Sequence, residues 1–224
     1  MLPRTATAAV AAGFGAAARL RRAAALHPLG TATPATVHRH GLPRPTGVPW
    51  LDEPGVDQAL VRFSRAGGLP PPLPDVLGLG IRVLGADGPA DLLLSTAPRG
   101  RLARHVPRPA RGPRSASYTC LVPFEAPSGA AMVGARPEGA AFALEVAGRG
   151  QPWRRFARLV VAATPDQVPA HHEDLDLDPV LHPVPGLRMP AWLADLRGPA
   201  YAASRRARGR VSAATPGSGG ISGG

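Results

Sequence analysis

Residues 58–64 read Gln58-Ala59-Leu60-Val61-Arg62-Phe63-Ser64, and their side chains alternate in character with a period of two. Leu60, Arg62 and Ser64 fall on one side of an extended chain, and Val61 and Phe63 fall on the other. This alternation predicts a β-strand with one apolar face.

Seven further short runs predict strands, and glycine, proline and aspartate fill the gaps between them, as turns require. Because no helices separate the strands, the pattern predicts an antiparallel barrel or sandwich rather than a parallel sheet. The fold class is therefore α+β but mainly β, with about eight strands and one helix near each end. The predicted strands are residues 33–38, 58–64, 79–84, 91–95, 117–122, 130–135, 140–146 and 156–162.

The two ends of the chain differ in composition from its middle. Residues 1–26 predict a basic, alanine-rich helix, and the arginines that follow its apolar run argue against a cleaved signal peptide. Residues 190–207 predict a second helix, and the glycine- and serine-rich residues 209–224 predict a disordered tail. We expect one barrel domain, residues 27–208, which includes the second helix and lies between the N-terminal helix and the tail.

The chain has 26 basic and 15 acidic residues, a formal net charge of +11, and every basic residue is arginine. Proteins that bind nucleic acids usually mix arginine with lysine, so this composition points to a GC-rich genome and not to DNA or RNA as a partner. The excess charge favours a small anionic partner. A single cysteine, Cys120, and the absence of a membrane-spanning apolar run predict a cytoplasmic protein whose thiol is buried and reduced.

Tyr201 is one of only two tyrosines, and arginines surround it in the predicted C-terminal helix. At 3.6 residues per turn, Tyr201, Arg205 and Arg208 share one face, and Arg197 lies just before the helix. A phenol loses its proton only near pH about 10 unless cations stabilise the phenolate, and phenolate is one of the few protein ligands of haem iron. The segment can supply such a ligand, although a surface helix with solvated arginines explains the same residues.

Three segments together resemble the haem catalase family, of which the chain looks like a short and divergent member. The resemblance implies a catalase-like β-barrel that binds haem b and acts on a peroxide. The three segments, in the family's order, are Leu26-His27-Pro28-Leu29-Gly30, the stretch from Val61-Arg62-Phe63-Ser64 to Asp91-Leu92-Leu93, and the helix that contains Tyr201 between Arg197 and Arg208.

The resemblance also implies roles for individual residues. His27 would act as acid and base, moving a proton between the peroxide oxygens, with Ser64 hydrogen-bonded to its second ring nitrogen. Arg62, expected to face inward, would pair with a haem propionate. Tyr201 would ligate iron, with Arg208 stabilising its phenolate and Arg197 and Arg205 nearby. Plainer explanations are a histidine at a helix end, an ordinary strand serine, and an arginine that pairs with Asp57, Asp75 or Asp91.

Departures from the family change the expected activity. The chain contains no asparagine, whereas the family has one at a position near Ser95 and Thr96, and Ala24 replaces a family arginine. We therefore expect slower peroxidase-like reduction or rearrangement of a peroxide or organic hydroperoxide. One alternative is a cofactor-free barrel that binds an acidic small molecule or lipid. Another is a hydrolase, because similar small proteins are often labelled phosphodiesterases.

Two histidine-containing segments are candidate metal sites with weaker patterns. The stretch from His171-His172 to Asp178 has ligand-type residues without zinc or calcium spacing, and it predicts a solvated acidic loop. His38 and His40 would share one face of a strand, which is more typical of a polar barrel surface.

Overall fold

The computed structural model describes residues 30–86, 88–162, 175 and 177–195. The chain divides into two compact units, residues 1–190 and 191–224. The described part of the first unit consists of nine strands, a one-turn helix and a 3₁₀ turn. Their bounds are β1 Gly30–His40, helix Pro49–Asp52, β2 Pro54–Arg65, β3 Leu77–Gly85, β4 Gly88–Thr96, 3₁₀ turn Ala103–His105, β5 Tyr118–Thr119, β6 Phe124–Ala126, β7 Gly129–Glu138, β8 Ala141–Ala147 and β9 Arg154–Val161.

Eight of these strands form a closed antiparallel barrel. The strand order is β1-β2-β3-β4-β5-β7-β8-β9, and the ring closes because β9 pairs with β1. The two-residue strand β5 joins the halves, since it pairs with both β4 and β7. Strand β6 pairs with β7 outside the ring. The predicted fold class, a mainly β chain with an eight-stranded antiparallel barrel, is confirmed.

Every predicted strand overlaps an observed strand, and the main difference lies at residues 117–122. The observed strand there is only Tyr118–Thr119, because Leu121 adopts a left-handed φ of 60° that ends the extended chain. The three residues of β6 are too few to show a periodic pattern, and this strand was not predicted.

The predicted helices fall mostly outside the described residues. This applies to the whole N-terminal segment 1–26, to the tail 209–224 and to the expected domain boundaries at 27 and 208. Of the predicted C-terminal helix, residues 191–195 are helical. None of the helices in the described part of the chain has the length and hydrophobicity needed to span a bilayer.

Alternate side chains of each strand fill the barrel interior. On β2, Val61 and Phe63 are 0 % and 4 % exposed, and Phe63 packs against Phe142 of β8 with ring centroids 6.1 Å apart. Tyr118 of β5 contacts the same Phe142 ring from another side, also at 6.1 Å. Because the interior is apolar, the chemically distinctive side chains lie on the outer faces of the strands.

Candidate functional site

The outer face of β2, β3 and β4 carries the two candidate site residues that the structure describes. Arg62 and Ser64 alternate with the buried Val61 and Phe63, so both lie on the outside of the barrel. The expectation that Arg62 faces inward was wrong, because the apolar side chains of β2 occupy the interior. Arg62 and Ser64 are half-buried neighbours on one face, as the proposed site requires.

Two glycines of β3 lie beside these residues, and because they have no side chains they leave room for neighbouring side chains to lie over the strand. Gly80 pairs with Arg62, and Gly78 pairs with Ser64. On the far side, β4 presents Leu93 opposite Gly80 and Ser95 opposite Gly78. A Cβ atom on Gly78 would overlap the hydroxyl of Ser64, so the absence of a side chain leaves this hydroxyl room to lie over the β3 backbone. We call this strip of six residues the β2–β4 face.

Ser95 is on this face and Thr96 is not. Thr96 is fully buried, and its hydroxyl accepts a hydrogen bond from the amide of Leu77 and donates one to the carbonyl of Arg108. Ser95 is 7 % exposed and alternates with the buried Leu94 and Thr96. Of the two positions near which the catalase resemblance expects asparagine, only Ser95 therefore points to the face with Arg62 and Ser64.

Two segments cover the outside of the barrel, and we call residues 97–117 the first covering segment and residues 177–182 the second covering segment. The second covering segment packs over the Gly80 end of the β2–β4 face. A Cβ atom on Gly80 would overlap the side chain of Leu177, so Leu177 occupies the space above this glycine. Asp91 fastens the segment, since its amide donates to the carbonyl of His182 at 2.7 Å and its carboxylate accepts from the amide of Asp178 at 2.7 Å. Leu177 and the residues that follow it therefore cover the Gly80 end of the face.

Asp91 is the most completely bonded carboxylate of this region. Its side chain is fully buried, and Arg82 donates to both of its oxygens at 2.8 and 2.7 Å. The Nδ1 atom of His182 lies 3.2 Å from the same carboxylate. A buried charge with this set of partners is stabilised within the fold, which explains Asp91 as a structural residue.

Two further expectations concern acidic residues: that Arg62 pairs with Asp57, Asp75 or Asp91, and that the loop ending at Asp178 is solvated. Asp57 pairs with Arg39 at 2.7 Å, and Asp75 lies 3.8 Å from Arg65, while Asp91 pairs with Arg82. Asp178, predicted to be solvated, is 3 % exposed and accepts hydrogen bonds from the amides of Val180 and Leu181. The prediction of a solvated loop is wrong at this residue because Asp178 begins the turn that packs on β4.

The other candidate residues lie outside the described part of the chain. They are His27, Arg197, Tyr201, Arg205 and Arg208, together with His171 and His172 of the acidic loop. Within the described residues, no three histidine, cysteine or acidic side chains come together as a metal site. The proposed iron ligand and the acid–base residue therefore stay predictions.

The chain's other tyrosine is unsuited to bind a metal as phenolate. Tyr118 is 1 % exposed, and its hydroxyl donates to the carbonyl of Pro113 at 2.8 Å. Burial raises the pKa of Tyr118 far above its usual value, because a phenolate would lose its solvation in the core. If the chain uses a tyrosinate ligand, Tyr201 is the residue that remains.

The described site contains residues that strand patterns did not single out. Gly78 and Gly80 alternate with Leu79 and Ile81, and this spacing of glycines along one face of a strand was the available signal. Leu177 had no such signal, since its position over Gly80 depends on a tertiary contact.

No family model matches the sequence, and no curated protein sequence matches it. Among solved structures, the fold is similar to that of a bacterial catalase, with a TM-score of 0.50, 13 % sequence identity and coverage of 75 % of this chain. The match spans 56 % of the catalase chain. At this identity the likeness shows the fold alone, and that fold is a catalase-like β-barrel.

Proposed function

We propose that the chain binds haem b and reduces or rearranges a peroxide or organic hydroperoxide. The observation that carries this proposal is the position of Arg62 and Ser64 beside two glycines of β3, Gly80 and Gly78. They lie on the outer face of a barrel whose fold resembles that of a bacterial catalase. Tyr201 would be the axial ligand, with Arg197, Arg205 and Arg208 around its phenolate.

The described residues fit part of such a cofactor. Gly78 has no side chain, so only the small hydroxyl of Ser64 lies over the strand backbone there, and Arg62 offers a planar guanidinium that matches a propionate. Leu177 limits the fit, since it already occupies the space over Gly80. The proposal therefore places the edge of the porphyrin at the Ser64 end of the β2–β4 face, away from Leu177.

Bound haem would supply the iron at which the O–O bond is cleaved, and the chain's own residues would manage charge and protons. Arg62 would neutralise a propionate. The Ser64 hydroxyl would fix the tautomer of His27, whose imidazole would take a proton from the peroxide and return it to the departing oxygen. Ser95 offers only a small hydroxyl where catalases have an asparagine, which favours slow turnover or a larger hydroperoxide substrate.

The decisive measurement is a haem titration of the purified protein followed by absorption spectroscopy. We expect a Soret band that saturates at one haem per chain, and Tyr201→Phe should abolish the band or change its ligand signature. His27→Ala should keep the band while peroxidase turnover falls. Saturable uptake that is unaffected by Tyr201→Phe would contradict the ligand assignment.

A pair of glycine variants tests the location. Gly78→Leu places a side chain on the β2–β4 face and should weaken haem binding by about tenfold or more, equivalent to about 1.4 kcal/mol. The control is Gly112→Leu, because a Cβ atom added at the half-buried Gly112 meets no atom within 4 Å. Equal haem affinity in the two variants would move the site away from β3.

Two other results would replace the haem proposal. Protein that takes up no haem but hydrolyses phosphodiesters with an added divalent metal would be a hydrolase. Protein that does neither, but binds an acidic lipid or small acid in a Gly78-dependent manner, would be a cofactor-free binding barrel. The supporting observation is that the Leu177 side chain already covers Gly80 and so limits the room for a porphyrin.

A further inference from the structure

Trp153 lies on the outer surface of the barrel at Gly134 of β7, which is separated from Ser95 of the β2–β4 face by Thr119 of β5. A Cβ atom on Gly134 of β7 would come within 2.9 Å of the indole ring and within 2.8 Å of the carbonyl of Tyr118. The indole Nε1 donates to the carbonyl of Arg99 at 3.0 Å. Gly134 thus makes room for the ring, and Arg99 fixes its orientation.

Two guanidinium groups lie against this indole. The Cζ atom of Arg99 is 5.3 Å from the ring centroid, and that of Arg104 is 5.6 Å away. Both distances fall within the range of cation–π contacts, which stabilise a cation but do not neutralise it. A third arginine, Arg101, has its guanidinium next to Gly150 on the adjacent turn. We call Arg99, Arg101, Arg104 and Trp153 the arginine–tryptophan site.

The carboxylates near this site neutralise only part of its charge. Glu145 of β8 pairs with Arg99 and lies 3.6 Å from Arg136. Among the described residues, neither Arg101 nor Arg104 has an ion pair, although Arg104 is 5 % exposed. A buried cation without a counterion carries a large desolvation cost, so its charge calls for an explanation.

The hydrogen bonds of Arg104 are also incomplete. Its Nη2 donates to the carbonyl of Gly148 at 3.3 Å, while its Nε is buried and has no partner among the described residues. Desolvation lowers the pKa of Arg104, and the positive charge of Arg101 lowers it further, against an opposing influence of the Cys120 thiol. Arg104 is thus a buried cation with one hydrogen bond, at Nη2, and one buried donor, Nε, without a partner among the described residues.

We propose that the arginine–tryptophan site binds a small tetrahedral dianion, a phosphate or sulfate group, between Arg101 and Arg104. Such an anion accepts hydrogen bonds from planar guanidinium groups in pairs and would compensate the buried charge. The exposed Arg101 gives access from solvent. A nucleic-acid backbone fits poorly, because the largely buried Arg104 cannot reach a bulky polyanion. The site lies beyond β5 from the β2–β4 face, and its residues are not among those proposed to bind haem.

The test is isothermal titration of the full chain with inorganic phosphate and with sulfate, at constant ionic strength and with chloride as the reference anion. We expect saturable binding at one site per chain, and the ratio of the two affinities identifies the preferred oxyanion. Arg101→Ala should weaken binding by about tenfold. The matched control is Arg158→Ala, which removes the same charge from an exposed position on β9 and should change the affinity by less than about twofold.

Three outcomes would overturn the proposal. One is no saturable heat with either oxyanion. Another is equal weakening by Arg101→Ala and Arg158→Ala, which would mean that net charge alone attracts the anion. The third is binding of a polyanion such as heparin without binding of phosphate or sulfate, which would place the interaction on the general basic surface.

Discussion

The two segments that cover the barrel's outer faces differ in how the buried charge beside each of them is compensated. The second covering segment, residues 177–182, is fastened by the carboxylate and amide of Asp91, and the charge of Asp91 is satisfied by Arg82 and His182. The first covering segment, residues 97–117, is held by the ion pair of Arg99 with Glu145 of β8, by a backbone bridge between Ala110 and Asp75, and by three neutral hydroxyls. The hydroxyls of Thr96, Thr119 and Tyr118 donate hydrogen bonds to the backbone carbonyls of Arg108, Arg104 and Pro113, respectively.

This difference separates a buried charge that a counterion neutralises from one that has no counterion among the described residues. On the β4 side, a buried ion has all the partners that its burial demands, so it requires no ligand. On the β7–β8 side, the ion pair of Arg99 with Glu145 and the three hydroxyls hold the segment, and the buried guanidinium of Arg104 has no carboxylate partner among the described residues. The cation–π contact with Trp153 and the hydrogen bond to Gly148 stabilise the charge of Arg104, but neither contact neutralises it.

The largest expected effect comes from removing the charged anchor. Asp91→Ala should lower the free energy of unfolding by about 3–5 kcal/mol, because it leaves Arg82 without a carboxylate and releases Asp178 and His182. Urea denaturation of the variant measures this loss. Glu138→Ala is the control, since Glu138 also pairs with arginine but is one-third exposed, and it should cost about 1 kcal/mol or less. Similar losses in both variants would show that the second covering segment is not fastened by Asp91.

The neutral hydroxyl of Tyr118 should contribute less to the free energy of unfolding, and its contribution should change at alkaline pH. Tyr118→Phe removes the hydrogen bond to Pro113 and should cost about 1 kcal/mol at neutral pH. Because burial raises the pKa of Tyr118, the unfolded chain loses its proton first, at about pH 10. The stabilisation from the protonated phenol is thus complete below pH 10 and is lost as the pH rises toward the folded pKa.

The measurement is the free energy of unfolding between pH 8 and pH 12 for the wild type and for Tyr118→Phe. The wild type should lose stability more steeply above about pH 10, and the difference between the two curves isolates Tyr118 from other titrating groups. Parallel curves would mean that the phenol ionises equally in the folded and unfolded chains.

The sequence predicted the barrel well because its signals are local. Alternation along β2 and the glycine and proline turns identified all eight strands of the ring, and alternation also placed Arg62 and Ser64 on one side. Alternation alone does not tell which side faces the interior, and Arg62 was assigned wrongly for that reason. The contacts between Asp91 and Asp178 and between Arg104 and Trp153 join distant parts of the chain, so no sequence period could predict them.

The smallest expected change in stability is the one that tests the comparison most sharply. Arg104→Met replaces a buried cation with an apolar side chain of similar length, so the loss of the cation–π contact and of the bond to Gly148 should be offset by relief of desolvation. In phosphate-free buffer we expect the free energy of unfolding to stay within about 1 kcal/mol of the wild type. Added phosphate should stabilise the wild type and leave the variant unchanged. A loss of more than about 2 kcal/mol without phosphate would show that Arg104, like Asp91, is already fully compensated by its neighbours.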